Sequence, residues 1–252
     1  MPREIQTVRI LGIEFHNDSL EAALDMAIHE GGLVLAPSGP GLSELGKDPH
    51  YDAALRNADI NLIDSGYLAL LWQKRTGESL KRHSGLKFIK ALLENARFSS
   101  EAGQRWVMPS TEHIHATRAF LGESGIEVDL DAFYEAPFYE KTPIADPSLL
   151  RDIKEKKPRF IIICIAGGKQ EVLGHWLREQ LDYKPAIICI GAAIAFLTGQ
   201  QANIPPWADR IYLGWLLRIV QDPKTFLPRY WNARKLGRLL RKYGELPPPQ
   251  NP

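Results

Sequence analysis

Asp64 stands at the end of the apolar run INLI and directly before the helical pattern SGYLALLWQK. A carboxylate at such a junction can take a proton from a substrate hydroxyl or hold a ligand hydroxyl. The same position is also typical of a helix N-cap, for which Asp is a preferred residue. Both interpretations of Asp64 stay open at the level of the sequence.

A glycine-rich turn, AGGKQE, follows a second apolar run, FIIICI. Gly167 and Gly168 allow a ligand to approach the backbone, and the free amides of the helix that follows suit a diphosphate. Lys169 can add a positive charge, and Gln170 can donate or accept a hydrogen bond from a sugar or base. A tight strand-to-helix turn explains the same pattern equally well. The segment is not a Walker A loop, because no earlier glycine stands at the required spacing.

Three further positions are candidates for ligand contact. Small residues at Gly191–Ala193 permit close approach after the run AIICI, although tight helix packing explains them too. Arg82 could grip a phosphate through its guanidinium, whereas most arginines of this kind are simply solvated. Its neighbour His83 can titrate near neutrality, but the sequence identifies no partner for it. GxGxxG, HExxH and Cys-x-x-Cys motifs are missing from the sequence, so neither a dinucleotide nor a metal site is predicted.

Apolar β-type runs alternate with helical patterns along the chain. This alternation indicates an α/β fold, in which a mostly parallel sheet carries helices on both faces. In such a sheet ligands bind outside the carboxyl ends of the strands, where the candidate residues lie. The predicted strands are Val8–Phe15, Leu33–Ala36, Ile60–Ile63, Trp106–Met108, Phe160–Ala166 and Ala186–Ile190. The predicted helices begin near Asp18, Ser65, Leu86, Glu112, Pro147, Lys169 and Ala192, and the stretch Tyr134–Pro147 is loop-like.

The composition is that of an ordinary globular protein, with 252 residues of which 44% are hydrophobic and 24% are charged. It excludes a disordered, collagen-like or disulfide-stapled chain. Cys164 and Cys189 lie in apolar runs and are predicted to be buried free thiols, which fits a reducing compartment. The N-terminal sequence lacks the apolar core of a signal peptide, and no apolar stretch reaches the roughly 20 residues of a membrane helix. We therefore expect a cytoplasmic protein that is not integral to a membrane.

The C-terminal segment is strongly basic. Seven Lys and Arg residues lie between Lys224 and Lys242 without an Asp or Glu, and subtracting them from the net charge of +1 leaves −6 for the remainder. The sequence RYWNARKLGRLLRKYG predicts a basic amphipathic helix that contacts an anionic membrane surface. Docking on the chain's own domain and nucleic-acid contact are the alternatives, and the acidic remainder disfavours nucleic acid. The last residues, GELPPPQNP, are expected to form a solvated tail.

In their order, these segments resemble the WecG/TagA/CpsF family of bacterial glycosyltransferases, from about Leu33 to Tyr230. The resemblance is carried by Ala58-Asp59 before the strand ending at Asp64, Arg82-His83-Ser84-Gly85, Gly168-Lys169-Gln170-Glu171, Gly191 to Gly199 with Phe196, Ile204-Pro205-Pro206-Trp207, Gly214-Trp215-Leu216-Leu217-Arg218, and Asp222-Pro223 with Arg229-Tyr230. It implies a Rossmann-like catalytic domain over residues 1–208. A basic appendage over 209–245 would face the membrane and close the active site, before a tail over 246–252.

The resemblance implies an inverting, metal-independent transferase without a cofactor, peripherally bound to the inner face of the cell membrane. It would move a hexose or N-acetylhexosamine from a UDP-sugar to a polyprenyl-diphosphate-linked acceptor in cell-surface polysaccharide synthesis. Asp64 falls at the position of the catalytic base. Substrate binding is assigned to Ser38, Arg82, Gly85, Gly167, Gly168, Lys169, Gln170, Glu171, Gly191, Arg218 and Arg229. Family members often self-associate, so a homo-oligomer is also expected, whereas nucleic acid is not expected as a partner.

Several positions depart from the family pattern. They are Ala36, Ser38, Ala195 and Asn203. These departures fit either a subgroup of the family that uses another donor sugar or a second function, in which the chain binds a nucleotide sugar without transferring it.

Overall fold

A computed structural model describes residues 5–100, 103–191, 193–200 and 223–250 of the chain. Its strands are β1 (Thr7–Ile10), β2 (Ile13–His16), β3 (Gly32–Leu35), β4 (Ile60–Asn61), β5 (Gln104–Met108), β6 (Phe133–Glu135), β7 (Phe160–Ile163) and β8 (Ala186–Cys189). Six of them form one sheet in the order β4-β3-β8-β7-β5-β6, and every neighbouring pair is parallel. The predicted α/β fold with a Rossmann-like parallel sheet is confirmed.

Helices cover both faces of this sheet. They are α1 (Leu20–His29), α2 (Gly39–Leu42), α3 (Pro49–Asn57), α4 (Gly66–Thr76), α5 (Gly85–Leu93), α6 (Ala96–Ser100), α7 (Thr111–Glu123), α8 (Pro147–Lys156), α9 (Lys169–Gln180), α10 (Ala193–Leu197), α11 (Pro223–Ala233) and α12 (Lys235–Tyr243). One face packs against α3, α8 and α9, and the other against α1, α5 and α7. Of the helices in the described residues, none has both the length and the apolar character needed to cross a membrane.

The central strands are buried on both sides, as their near-continuous apolar sequences predict. In β7, Ile161 and Ile163 belong to the core on one face, while Phe160 and Ile162 belong to the core on the other. This alternation follows from the two-residue period of a strand. Both cysteines are free and buried, as predicted.

The predicted first strand, Val8–Phe15, is a hairpin rather than one strand. β1 and β2 pair antiparallel, with Ile10 opposite Ile13. The turn residues Leu11 and Gly12 have φ values of 53° and 77°, the left-handed conformation that the favoured two-residue hairpin turn requires. The apolar pattern runs through the turn because Leu11 is itself buried, so hydrophobicity alone does not reveal the break.

The sequence-based prediction does not contain the elements α2, α3, α6 and β6. α3 has a capping Asp48 followed by Pro49 at its first position, a start signal that was available in the sequence. β6 lies just before and within the stretch predicted to be loop-like, and its Phe133 pairs with Trp106 of β5. A three-residue edge strand has too few residues to show a period.

The predicted basic amphipathic helix is two helices, separated at Arg234. Leu236 and Leu240 of α12 are buried in the core. A Cβ on Gly237 would lie 3.6 Å from the hydroxyl of Tyr67 in α4. The apolar face that we assigned to a membrane is therefore docked on the chain's own domain, the alternative that the sequence left open.

Residues 244–249 run against the rest of the chain and bind it through the backbone, which corrects the expectation of a solvated tail in part, since most of their side chains are exposed. The Leu11 amide donates to the Gly244 carbonyl at 2.9 Å, and the Gly12 amide donates to the Glu245 carbonyl at 2.7 Å. A Cβ on Gly12 would lie only 2.7 Å from Cβ of Pro247. The hairpin turn presents amides that need acceptors, and the residues after α12 supply them.

Candidate functional site

Four of the candidate loops follow neighbouring strands of the sheet. In the order β4, β3, β8 and β7, the strands lead to Asp64, residues 36–42, Gly191 and residues 166–171. Because these strands are parallel, their carboxyl ends meet at one edge, and the outer two strands are about 14 Å apart at ordinary strand spacing. The fold therefore assembles at one edge the loops that the sequence indicated separately.

Asp64 is half-buried and lies just beyond the end of β4. The N-cap of α4 is Ser65, whose Oγ accepts a hydrogen bond from the Leu68 amide at 3.2 Å. The carboxylate of Asp64 points elsewhere, because its Oδ1 accepts from the amide of Gly85, the first residue of α5, at 3.1 Å. The N-terminal end of a helix stabilises a negative charge placed there. The structure thus separates the two interpretations of Asp64, since capping of α4 is done by its neighbour.

Arg82 lies between α4 and α5 and folds back onto the chain next to Asp64. Its Nε donates to the Asp64 carbonyl oxygen at 2.8 Å. The amide of His83 donates to the Ile63 carbonyl at 3.1 Å. Two consecutive residues of one segment therefore bind two consecutive residues of the other, which fixes the base of the Arg82 side chain beside the candidate carboxylate.

Gly85 lies where this pair of segments meets the loops after β3 and β8. A Cβ on Gly85 would be 3.4 Å from Cβ of Ala36 and 3.6 Å from the carbonyl of Ile190. Ser38 also belongs to the loop after β3, where its Oγ accepts from the Gly41 amide at 3.2 Å and caps α2. Three loops therefore converge at the start of α5, where a Cβ on Gly85 would make ordinary van der Waals contacts.

The glycine-rich turn before α9 uses several of its amides internally. Gly168 has a φ of +87°, and its amide donates to Oε2 of Glu171 at 2.6 Å. The amides of Lys169 and Gln170 both donate to the Ala166 carbonyl, each at 3.2 Å. A diphosphate bound here would have to compete for these amides or bind beside them.

Gly167 is the open position of this turn. It is exposed, and a Cβ there would meet no other atom within 4 Å. The next cation, Lys169, reaches across to donate from Nζ to the Glu140 carbonyl at 2.9 Å. That bond ties the loop before α8 to the first turn of α9.

Gln170 and Glu171 are buried, with 3% and 2% exposure, and form a polar brace. Gln170 accepts from the Gly191 amide through Oε1 at 2.5 Å and donates from Nε2 to Oε1 of Glu171 at 3.2 Å. Burial raises the pKa of the Glu171 carboxyl, although the hydrogen bonds that it accepts from Gln170 and Gly168 act in the opposite direction. The brace joins the loop after β7 to the loop after β8.

Two of the predicted substrate-binding residues cannot be placed in the site. Arg218 lies outside the described residues, as does Asn203. Arg229 belongs to α11, and its side chain is likewise outside the description.

Comparison with known protein families identifies the family of this chain. The model of the glycosyl transferase WecG/TagA/CpsF family matches residues 8–246, nearly the whole chain. The chain belongs to this family. The predicted family is confirmed, and with it the coarse reaction class, that of a glycosyltransferase. No curated protein matches the chain.

The structure of this WecG/TagA/CpsF glycosyltransferase shows contacts near Arg82 that could not be inferred from the sequence. His83 has a partner after all, since its Nε2 donates to the Asp18 carbonyl at 2.7 Å. Oδ1 of Asn17 accepts a hydrogen bond from the amide of Lys81, the residue before Arg82, at 2.8 Å. Neither contact could be found from spacing, because the residues lie more than sixty positions apart.

The described residues of this family member offer no group of three His, Cys, Asp or Glu side chains that could hold a metal ion. His113 makes a local contact instead. Its Nδ1 lies 2.9 Å from Oγ of Ser110, the residue that caps α7.

Proposed function

We propose that this chain transfers a hexose or N-acetylhexosamine from a UDP-sugar to a polyprenyl-diphosphate-linked sugar, with inversion at the anomeric carbon. The observation that carries the proposal is the placement of Asp64, a half-buried carboxylate beyond a strand end with one oxygen held by the Gly85 amide. A carboxylate so held can remove the proton of an acceptor hydroxyl during attack. Membership in a glycosyltransferase family supports the reaction class.

In the proposed step, the acceptor oxygen attacks the anomeric carbon from the face opposite UDP. The bond from that carbon to the diphosphate oxygen breaks, UDP leaves with the electron pair, and Asp64 takes the hydroxyl proton. A single displacement of this kind inverts the anomeric carbon. Arg82, the turn at Gly167–Lys169 and the cations Arg218 and Arg229 would offset the charge on the departing diphosphate, so the scheme requires no cofactor.

The lipid-linked acceptor places the proposed reaction at the inner face of the cell membrane. Because Leu236 and Leu240 of α12 are buried and Leu239 is half-buried, contact with the bilayer falls to α11, where Leu227 is 51% and Trp231 is 61% exposed. Arg234 lies over the Trp231 ring, and exposed basic residues continue along α12. Aromatic and aliphatic side chains beside cations suit an anionic membrane surface.

Vesicle flotation tests the membrane part of the proposal. We expect vesicles containing anionic lipid to capture the full chain, and Leu227→Ser combined with Trp231→Ser to reduce capture about tenfold, because both apolar contacts are lost. Leu246→Ser is the matched control, since Leu246 is 69% exposed but lies beyond the basic helices. Equal capture of all three proteins would remove α11 from this role.

A nucleotide screen and a transfer assay test the proposed chemistry. UDP should raise the melting temperature more than GDP or CDP, because a ligand that binds only the folded state stabilises it. With the UDP-sugar that the screen selects and a polyprenyl-diphosphate-linked sugar, Asp64→Asn should lower turnover about 10²- to 10⁴-fold while UDP binding persists. Asp182→Asn, an exposed substitution before β8 at the opposite edge, should retain full activity.

The outcomes separate this proposal from its rival. Unchanged turnover in Asp64→Asn would exclude Asp64 as the base. UDP binding without transfer to any lipid-linked acceptor would instead favour the non-catalytic nucleotide-sugar binder that the departures at Ala36, Ser38, Ala195 and Asn203 leave open.

A further inference from the structure

The strand that precedes Asp64 is short and lies at the edge of the sheet. β4 pairs with β3 at only two positions, Val34 with Ile60 and Leu35 with Asn61. Asp64 lies beyond these pairs, at the margin of the sheet. Leu62 and Ile63 are fully buried and fix the backbone up to Asp64, whereas the Asp64 side chain is only half-buried, so the direction of its carboxylate depends on contacts from outside the sheet.

Those contacts come from residues 81–85, which we call the Arg82 segment. On one side it binds the chain after β4 through the Arg82 Nε to Asp64 carbonyl bond of 2.8 Å and the Gly85 amide to Asp64 carboxylate bond of 3.1 Å. On the other side it binds the connection between β2 and α1. There the Lys81 amide donates to Oδ1 of Asn17 at 2.8 Å, and His83 Nε2 donates to the Asp18 carbonyl at 2.7 Å.

The connection between β2 and α1 is itself well fixed. Asp18 is 1% exposed, and its Oδ1 accepts from the Ser19 amide at 2.7 Å. The His16 ring donates to the Ser19 carbonyl at 2.8 Å, and its centroid lies 6.3 Å from that of His83. The Arg82 segment is therefore clamped between a rigid helix start and the end of an edge strand.

We propose that His83 and Asn17 are positioning residues, which hold the Arg82 segment so that the Arg82 guanidinium and the Asp64 carboxylate keep their relative placement for sugar transfer. The inference rests on the proposed function, in which these two groups act on the donor and the acceptor. Neither positioning residue needs to touch a substrate. Asn17 accepts a hydrogen bond from the Arg82 segment, and His83, which belongs to that segment, donates one to Asp18.

Paired variants of His83 test this assignment. In His83→Ala the donor to Asp18 is lost, whereas Gln in His83→Gln carries an amide Nε2 at a similar reach and can restore it. His29→Ala is the matched control, because the His29 ring is likewise hydrogen-bonded, accepting through Nδ1 from Arg97, but lies at the far end of α1. Asn17→Ala removes the second contact independently.

The first measurement is hydrogen exchange of the free protein. The amides of His83 and Gly85, which donate to Ile63 and Asp64, should exchange at least about tenfold faster in His83→Ala and Asn17→Ala. Exchange in the remainder of α1 and α5 should match that of the wild type. The second measurement is transfer, for which kcat should fall about 10- to 100-fold, as expected when reacting groups are misplaced by about 1 Å.

Support requires that His83→Gln recovers most of the lost kcat, that the affinity for UDP changes less than kcat, and that His29→Ala behaves as the wild type. If the wild-type chain transfers sugar and His83→Ala and Asn17→Ala transfer it equally well, the positioning role is wrong while the proposed function stands. The positioning role is also wrong if kcat of His83→Ala falls only in proportion to a general loss of folded protein and His83→Gln does not recover it. If the wild type itself transfers no sugar, the proposed function fails first.

Discussion

The two ends of the candidate site are built on different physical principles. At the β4 end, Asp64 is half-buried, and it accepts hydrogen bonds from the Arg82 side chain and from the Gly85 amide of the Arg82 segment. At the β7 end, Gln170 and Glu171 are buried and hydrogen-bonded to each other. Gln170 also accepts from the Gly191 amide, and Glu171 accepts from the Gly168 amide. One end places charged groups at the edge of the sheet, and the other uses buried polar groups to join two loops of that edge.

This difference shows that residues of one sequence pattern need not share a role. Asp64 and Glu171 are both carboxylates that accept a hydrogen bond from a helix N-terminal region, yet only Asp64 remains accessible at the rim. A buried carboxylate with two donors is suited to fixing loops, whereas a partly solvated one is suited to exchanging a proton with a substrate. Burial, and not residue type, separates the two.

The largest expected stability effect lies in the buried brace. Glu171→Ala should lower the free energy of unfolding by about 2–4 kcal/mol, because the Gly168 amide and the Gln170 side chain lose their acceptor and a cavity remains. Denaturant unfolding measures the change. Glu179→Ala on the same helix is the control, since the Glu179 side chain is 59% exposed and should cost less than about 0.5 kcal/mol. Equal effects of the two substitutions would contradict the brace.

A smaller effect is expected for the partner in the brace. Gln170→Ala should lower the free energy of unfolding by about 1–3 kcal/mol, because it leaves the Gly191 amide without its acceptor. Gln180→Ala, at the exposed end of α9, should be neutral in the same denaturant experiment. At the other end of the site, Asp64→Asn keeps an oxygen for the Gly85 amide, so its free energy of unfolding should stay within about 1 kcal/mol of the wild-type value.

The smallest effects are opposite pH dependences at the two ends. Burial raises the pKa of Glu171 in the folded state, so wild-type stability should fall as pH rises above its ordinary value of 4.5, and Glu171→Gln should lack this loss. Burial lowers the pKa of His16, which lies beside the Arg82 segment, so stability should fall as pH drops below 6.5. His16→Gln should flatten that part of the curve. Unfolding free energies between pH 4 and 8 test both signs, and a wild-type curve that matches both variants would contradict them.

Much of the fold and part of the site could be predicted without coordinates. The buried strands β3, β5, β7 and β8 appear as apolar runs, since a strand covered on both faces has few polar positions. The same reasoning merged β1 and β2 into one predicted strand, because the buried turn residue Leu11 leaves the apolar pattern unbroken. The amphipathic pattern of α12 identified an apolar face but not what covers it, and the structure places Leu236 and Leu240 in the core.

By itself, the sequence determined the class of fold, the family and the identity of the loops that carry polar groups after strands. These properties follow from local apolar periodicity and from short motifs, which depend on neighbouring residues. Only the tertiary structure decided that Ser65 rather than Asp64 caps α4, that Gln170 holds Gly191, and that His83 meets Asp18. Those contacts join residues that are distant in the chain, and strand order and packing, which no local pattern encodes, bring them together.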